Sequence, residues 1–488
     1  MEPITRLDGQ MTKHADRIEQ LIDRFGLPLH LVFHDEIEAN ANAFLQAIAP
    51  CGPDGVVAFA AKSNPCRGAL RAASGLGLGA DTASEHELRA ALEEGIPPER
   101  IVCNGNAKSL AYLQSAVDAG AWIAVDNVNE LDMLDELPAA SRAGADVLVR
   151  FRGMPLAGLT SDDQTTAADW TKFGFHLDEA DALFARLVDD ERLRFRGVSA
   201  HIGTQIANPR GYERLIDHLL DLIDRARAAG LSPDTIDLGG GFPVAFLTEQ
   251  AWTDFTDRLL AAVRGHGAPS DAVTWNRIPM GFDHLRRGDD GAGWIGKAYW
   301  SSHPAARMLD HLLHYREAEG GSVLERLSAA GVSRLIVEPG RSLMATSGVT
   351  ITEVMGTKRV LGHLVVALDM GINNHGTNLI SPDIFPAAVL PRRPGDAPTE
   401  AFLAGRLCFS GDMISKAKVP LNRAPKRGER FVIYHTGAYG ADHFASNSCG
   451  FPRPAKAAIR ADGTAELWRR PESFDDVFGS AGDRLTID

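Results

Sequence analysis

From about Leu29 to Leu238, short apolar runs alternate with amphipathic stretches, and this alternation constrains the fold more than any other feature of the 488-residue chain. "VVAFAA" precedes a helix around Gly68–Ser74, "GLGLGAD" precedes "SEHELRAALEEG", "RIVCNG" precedes "AKSLAYLQSAVDAG", and "WIAVD" precedes "NVNELDMLDEL". "DVLVRF" follows, "FRGVSAHIG" leads into "GYERLIDHLLDLIDRARAAG", and "TIDLGGGF" comes after it. Repeated strand–helix units with few hairpin signals indicate a parallel sheet. So many units in one run predict a (β/α)8 TIM-type barrel rather than an open sheet. Barrel chemistry gathers at the C-terminal ends of the strands. Lys62, Asp81, Asn104, Arg150, His201, the Gly239–Gly241 run and Glu338 all stand at or just past such ends.

Between Phe242 and Arg334 the pattern loosens, with Gly, Pro and Asp scattered among aromatic residues. This reads as an insertion at about 245–330, over the barrel mouth or at a dimer interface. His311 and His314 lie inside it in "DHLLHY", but no third ligand follows at useful spacing, so no metal site is expected. After "LIVEPGRSLMATSGV" the sequence becomes β-rich with turn residues between runs. The expected organisation is a barrel over 36–344 and a C-terminal β domain over 345–488. A segment over 1–35, carrying the strand "LPLHLVFHDE", pairs with the β domain. Ser84 and Glu87 fit a capping box at the start of one barrel helix.

A formal net charge of -14 and the absence of a basic stripe argue against nucleic-acid or anionic-membrane partners. The N-terminus mixes both charge signs around no apolar core, unlike a signal peptide, and no run approaches the ~18 apolar residues of a membrane span. Five scattered cysteines without a Cys-x-x-Cys pattern suit a reduced, cytoplasmic chain.

Lys62, at the end of an apolar strand, has two readings. The plainer one is a lysine reaching water. The sharper one is an amine delivered to an active site, where it can form a Schiff base. The surrounding motifs decide between them. "FAAKSNP", "GADTASEHEL", "CNGNAKS", "TKFGF", "HIGTQ", "LGGGF", "EPGRSLMA", "CFSGD" and "GAY" occur in one order along the chain. Together they resemble the fold-type III pyridoxal-phosphate enzymes, specifically the diaminopimelate and ornithine decarboxylase group, whose members read "HGNGKS", "SKFGI" and "HIGSQ" at three of these places.

The resemblance implies an alanine racemase-like barrel with a C-terminal β domain, pyridoxal 5'-phosphate as cofactor, and a homodimer with shared active sites. It implies that Lys62 holds the cofactor and that Glu338 pairs with the pyridine nitrogen. Thr204, Gly239, Gly240, Gly241, Arg341 and Tyr439 would bind the phosphate, and His201 would stack on the ring. Asp81, Glu87 and Arg150 would orient the lysine and histidine. Cys408 matches the residue that reaches the other subunit's site and protonates the α-carbon.

Glu338 favours decarboxylation over racemisation, because a racemase of this type places arginine by the pyridine nitrogen and leaves a weaker electron sink. A non-catalytic homologue is disfavoured by the joint presence of Lys62, His201, Glu338 and Cys408. The substrate pocket departs from the family. Where diaminopimelate decarboxylases read "LIRPALY" and "CESGD", this chain has "LISPDIF" and "CFSGD", placing Ser381, Phe385, Phe409 and Asp412 there. An ammonium facing Phe409 in place of a carboxylate loses a charge-assisted hydrogen bond. The sequence therefore points to an L-α-amino acid with a neutral or masked side chain, or a carrier-protein-bound or conjugate-bound unit of secondary metabolism. The alternative is meso-diaminopimelate, with Arg286, Arg287 and Lys297 supplying the distal contacts.

Overall fold

The computed structural model describes residues 3–138, 144–161, 164–190, 192–266, 272–277, 285–288, 293–317, 321–376 and 383–479. They divide into two compact units. One comprises Ile37–Ala245 and Gly281–Met344, the other Met1–Glu36, Phe246–Met280 and Ala345–Asp488. The segment read as a barrel insertion is thus split, its first part belonging to the β-rich unit.

Strand β1 (Leu29–Phe33) lies in the β-rich unit, and eight of the strands that follow, leaving aside several two-residue ones, form the barrel. These are β2 (Val56–Ala60), β3 (Gly79–Thr82), β4 (Ile101–Cys103), β5 (Trp122–Val125), β6 (Ala145–Arg152), β7 (Leu193–Ser199), β8 (Thr235–Asp237) and β9 (Arg334–Val337). They pair in parallel, and the sheet closes where β5 meets β6, with Val125 opposite Val149. Every residue of β2 is buried, because helices cover the sheet outside while side chains fill the inside. Val56, Ala58, Val102, Trp122, Ala124, Leu148 and Ile336 form one buried cluster, with residues two apart on a strand sharing a face. Helices Glu85–Glu93, Leu110–Ala119 and Val128–Glu136 start at Ser84, Ser109 and Asn127, whose side chains each accept a backbone N–H from the third residue onward in the chain. Glu87 reaches back to the Ala83 amide at 2.8 Å, one residue before the capping-box partner expected of it.

In the β-rich unit, β1 is a central strand. It runs antiparallel to Gly348–Val360, with Leu29 opposite Ile351, and parallel to Ala455–Ile459, with Leu29 opposite Ala455. Helices Pro3–Lys13 and Ala15–Phe25 cover this sheet. Leu7, Ile18 and Leu21 pack with Leu31, Val349, Val432 and Ala457. The segment 246–280 joins the same unit through specific contacts. Thr274 bridges to Ala417, the Val273 carbonyl accepts from the Lys418 amide at 3.0 Å, and Trp275 meets Phe402 edge-on at 5.4 Å.

His435 and His375 are fully buried here, their ring nitrogens without hydrogen-bond partners among the described residues. Phe246 stacks on His435 at 5.1 Å, and Phe385 packs on His375 at 4.5 Å. Burial pushes the two imidazoles down to about 3 and about 4 respectively. A histidine whose folded-state pKa is depressed leaves stability intact above its unfolded value, near 6.5, and removes it as pH falls toward the folded value. The β-rich unit is therefore acid-labile. His435 alone should cost about 2–3 kcal/mol between pH 7 and pH 4.5. His435→Phe should flatten that loss, which urea unfolding at the two pH values measures directly.

Candidate active site

All eight barrel strands deliver a polar group at their C-terminal ends. Lys62 follows β2, Asp81 lies in β3, Asn104 follows β4 and Asp126 follows β5. Arg150 lies in β6, His201 follows β7, Asp237 ends β8 and Glu338 follows β9. The Lys62 amine pairs with Asp81 Oδ2, while Asp81 Oδ1 accepts from Asn104 Nδ2 at 2.8 Å. The same Asn104 nitrogen donates to Glu338 Oε1 at 2.6 Å. Lys62, Asp81, Asn104 and Glu338 thus form one hydrogen-bonded chain across four strands.

The carboxylates in this chain are crowded. Burial, and then the charges of Asp237 and Asp81, push the Glu338 carboxyl well above the usual range. Burial pushes Asp237 up as well, although its Oδ1 accepts the Gly239 amide at 2.8 Å. Burial also raises Glu87, with Asp81 adding to the shift.

His201 accepts the Gly240 amide at Nδ1, 2.9 Å away, so its proton sits on Nε2. Burial, then the Arg150 and Lys62 charges, push it down to about 3, and it stays neutral through physiological pH. The glycine run is required by close approach. A Cβ on Gly240 would lie 2.4 Å from the Glu338 carbonyl oxygen, and one on Gly239 would lie 2.6 Å from His201 Nδ1. The Gly239 amide donates to Asp237 and the Gly240 amide to His201, and among the described residues no partner is found for the Gly241 amide. Thr204 stands beside it, since its loop places the Gly203 carbonyl against Gly241 and the Ile206 amide donates to the Gly241 carbonyl at 3.0 Å.

Arg150 stacks on Phe173 of "TKFGF", with Cζ 4.2 Å from the ring centre, and lies 3.9 Å from Asp126. Lys108 of "CNGNAKS" is structural. Its amine is buried, pairs with Glu130 at 2.8 Å and donates to the Ala124 carbonyl at 2.6 Å, which ties the loop bearing Asn104 to β5. Arg341 opens the short helix Arg341–Met344.

The remaining expected residues belong to the β-rich unit. Cys408 is exposed on the loop 405–412, and Phe409 beside it is 55% exposed. Asp412, expected in the substrate pocket, is buried, with Oδ1 accepting the Ile372 amide and Oδ2 the Leu407 amide, each at 2.7 Å. Its carboxylate shapes the Cys408 loop rather than facing a substrate. Asp412→Ala would leave two amides unpaired and cost ~2–4 kcal/mol of stability, read by thermal unfolding. Phe385 is likewise a packing residue, 4% exposed between His375 and Phe246 at 4.5 and 5.3 Å. Tyr439 holds a left-handed backbone conformation, φ 62°, and meets His443 edge-on at 5.2 Å. Ser381 lies outside the described residues.

The sequence places Asn104 among the strand-end residues without giving it a role, and Asp126 and Asp237 close apolar runs without standing out from them. The signal for all three is the one that marks Lys62, a polar residue closing a buried strand.

Two family models match: the pyridoxal-dependent decarboxylase pyridoxal-binding domain over residues 34–274 and the pyridoxal-dependent decarboxylase C-terminal sheet domain over residues 188–437. The chain is 29% identical to a diaminopimelate decarboxylase of Actinosynnema pretiosum, over 97% of this chain and 93% of that one. It is 26% identical to the diaminopimelate decarboxylase of Pseudomonas aeruginosa, over 99% of both. A solved structure of the M. jannaschii diaminopimelate decarboxylase with L-lysine superposes with a TM-score of 0.76, at 21% identity, over 96% of this chain and 94% of that one.

Proposed function

The chain belongs to the pyridoxal-dependent decarboxylases, and we propose that within this family it acts on meso-diaminopimelate or a closely similar diamino dicarboxylic acid. It is an amino-acid decarboxylase with pyridoxal 5'-phosphate as cofactor. The observation that carries the substrate reading is similarity along nearly the whole chain to enzymes named for diaminopimelate. This favours the diaminopimelate reading over the carrier-bound or masked substrate to which the pocket substitutions point.

The residues present fit the cofactor. An amine, a buried carboxyl, a neutral imidazole and a glycine cradle with an amide to spare come together at one end of the barrel. When bound, pyridoxal phosphate supplies the electron sink for the pair released as CO2 leaves. Lys62 would hold the cofactor through its amine, with Asp81 orienting that amine. Glu338, whose Oε1 accepts from Asn104, would pair with the ring nitrogen. His201, neutral, fixes the Gly240 backbone through Nδ1. We assign Cys408 the delivery of a proton to the α-carbon in a partner protomer's site, so that the active form is a homodimer.

One observation keeps a second reading. Phe409, half-exposed beside Cys408, offers no charge to a distal ammonium, which suits a neutral or masked side chain. Rescue of a lysine auxotroph that lacks its own diaminopimelate decarboxylase tests the choice. Growth supports the diamino dicarboxylate, and failure by a soluble, cofactor-loaded protein supports the second reading.

A further inference from the structure

Asn104 spends both hydrogens of its amide on carboxylates, Asp81 at 2.8 Å and Glu338 at 2.6 Å. It is buried, and its backbone amide donates to the Thr82 carbonyl at 2.7 Å, which fixes it beside β3. The opposite amide orientation would set its oxygen against two acceptors, so the donors must face the acids. We propose that Asn104 is a positioning residue that ties Asp81, the partner of Lys62, to Glu338, so that the lysine and the glutamate are held in one geometry through a single amide. The inference rests on the cofactor assignment above.

The physical argument is crowding. Glu338 faces Asp237 from β8, Asp81 from β3, Lys62 from beyond β2 and Asn104 from beyond β4. Three carboxyls share a low-dielectric space with one adjoining ammonium, and each ionised form needs donors. Asn104 supplies two donors without adding charge. Without them, Glu338 binds its proton more tightly and Asp81 holds Lys62 in a less defined geometry.

The test uses Asn104→Asp, which keeps size, replaces both amide donors and adds a fourth carboxyl to the cluster, and Asn104→Ser, which keeps one donor and adds no charge. Pyridoxal phosphate is titrated into each purified protein, and the visible spectrum of the bound cofactor is followed against pH. Thermal unfolding of the cofactor-free proteins is the control for folding. The expected result for N104D is affinity weakened ~10- to 100-fold and a spectral transition moved upward by at least about one pH unit, with N104S between it and wild type. If N104D does not fold, the N104S shift carries the comparison. A variant that binds and titrates like wild type overturns the role of Asn104 while leaving the cofactor assignment intact. A wild-type protein that takes up no pyridoxal phosphate overturns both.

Discussion

Lys62→Ala should abolish covalent capture of pyridoxal phosphate and lower CO2 release by ~10⁴-fold or more, the scale on which removing a covalent catalytic group acts. The fold should survive. The Lys62 side chain is 43% exposed but its ion-pair partner Asp81 is fully buried, so truncating it lowers stability by leaving that carboxylate with Asn104 as its donor. Borohydride reduction followed by peptide mapping reads the first effect: wild type carries label on the peptide spanning Val56–Cys66, and the variant carries none. The cofactor-free variant should melt below wild type yet still unfold in one cooperative transition. A lysine serving only as a solvated strand end would leave both labelling and activity unchanged.

The second large effect separates activity from stability. Glu338→Gln keeps the shape and can still accept from Asn104, yet it cannot hold a charge opposite the ring nitrogen. Loss of this electrostatic partner should cost ~10²- to 10³-fold in kcat, the range for removing one preorganised group at developing charge. Stability should move the other way. The Glu338 carboxyl is raised by burial, then by Asp237 and Asp81, so the folded state binds a proton that the unfolded state has released once pH exceeds about 4.5. Stability of the cofactor-free wild type therefore falls as pH rises above that value. The Gln variant lacks this slope, and its melting temperature at pH 8 should equal or exceed that of wild type. Parallel loss of activity and stability would mean that Glu338 is a structural acid.

Much of the barrel is legible in the sequence because its strands are short apolar runs closed by a polar residue. The same rule exposes Lys62, Asp81, Arg150, His201 and Glu338. It passes over Asp126 and Asp237 because each is followed at once by a stronger local signal, the helix start "NVNE" and the glycine run "LGGG". Motifs name Asp412 and Phe385 but carry no information on which way a side chain faces. Asp412 turns its carboxylate into its own loop, and Phe385 turns into the core. The division at residues 246–280 is not readable either. Its links to the β-rich unit include the bridge at Thr274, the Val273–Lys418 hydrogen bond, the Trp275–Phe402 pairing and the stack of Phe246 on His435, and none of these leaves a periodic trace in sequence.

The most direct measurement is CO2 release by the purified, cofactor-loaded protein from a panel of amino acids. The panel holds meso-diaminopimelate, lysine, ornithine, arginine, glutamate and aspartate, with thioester mimics of the last two. The account predicts release from meso-diaminopimelate well above every other compound. Release confined to neutral or masked substrates would contradict it and return the specificity to Phe409.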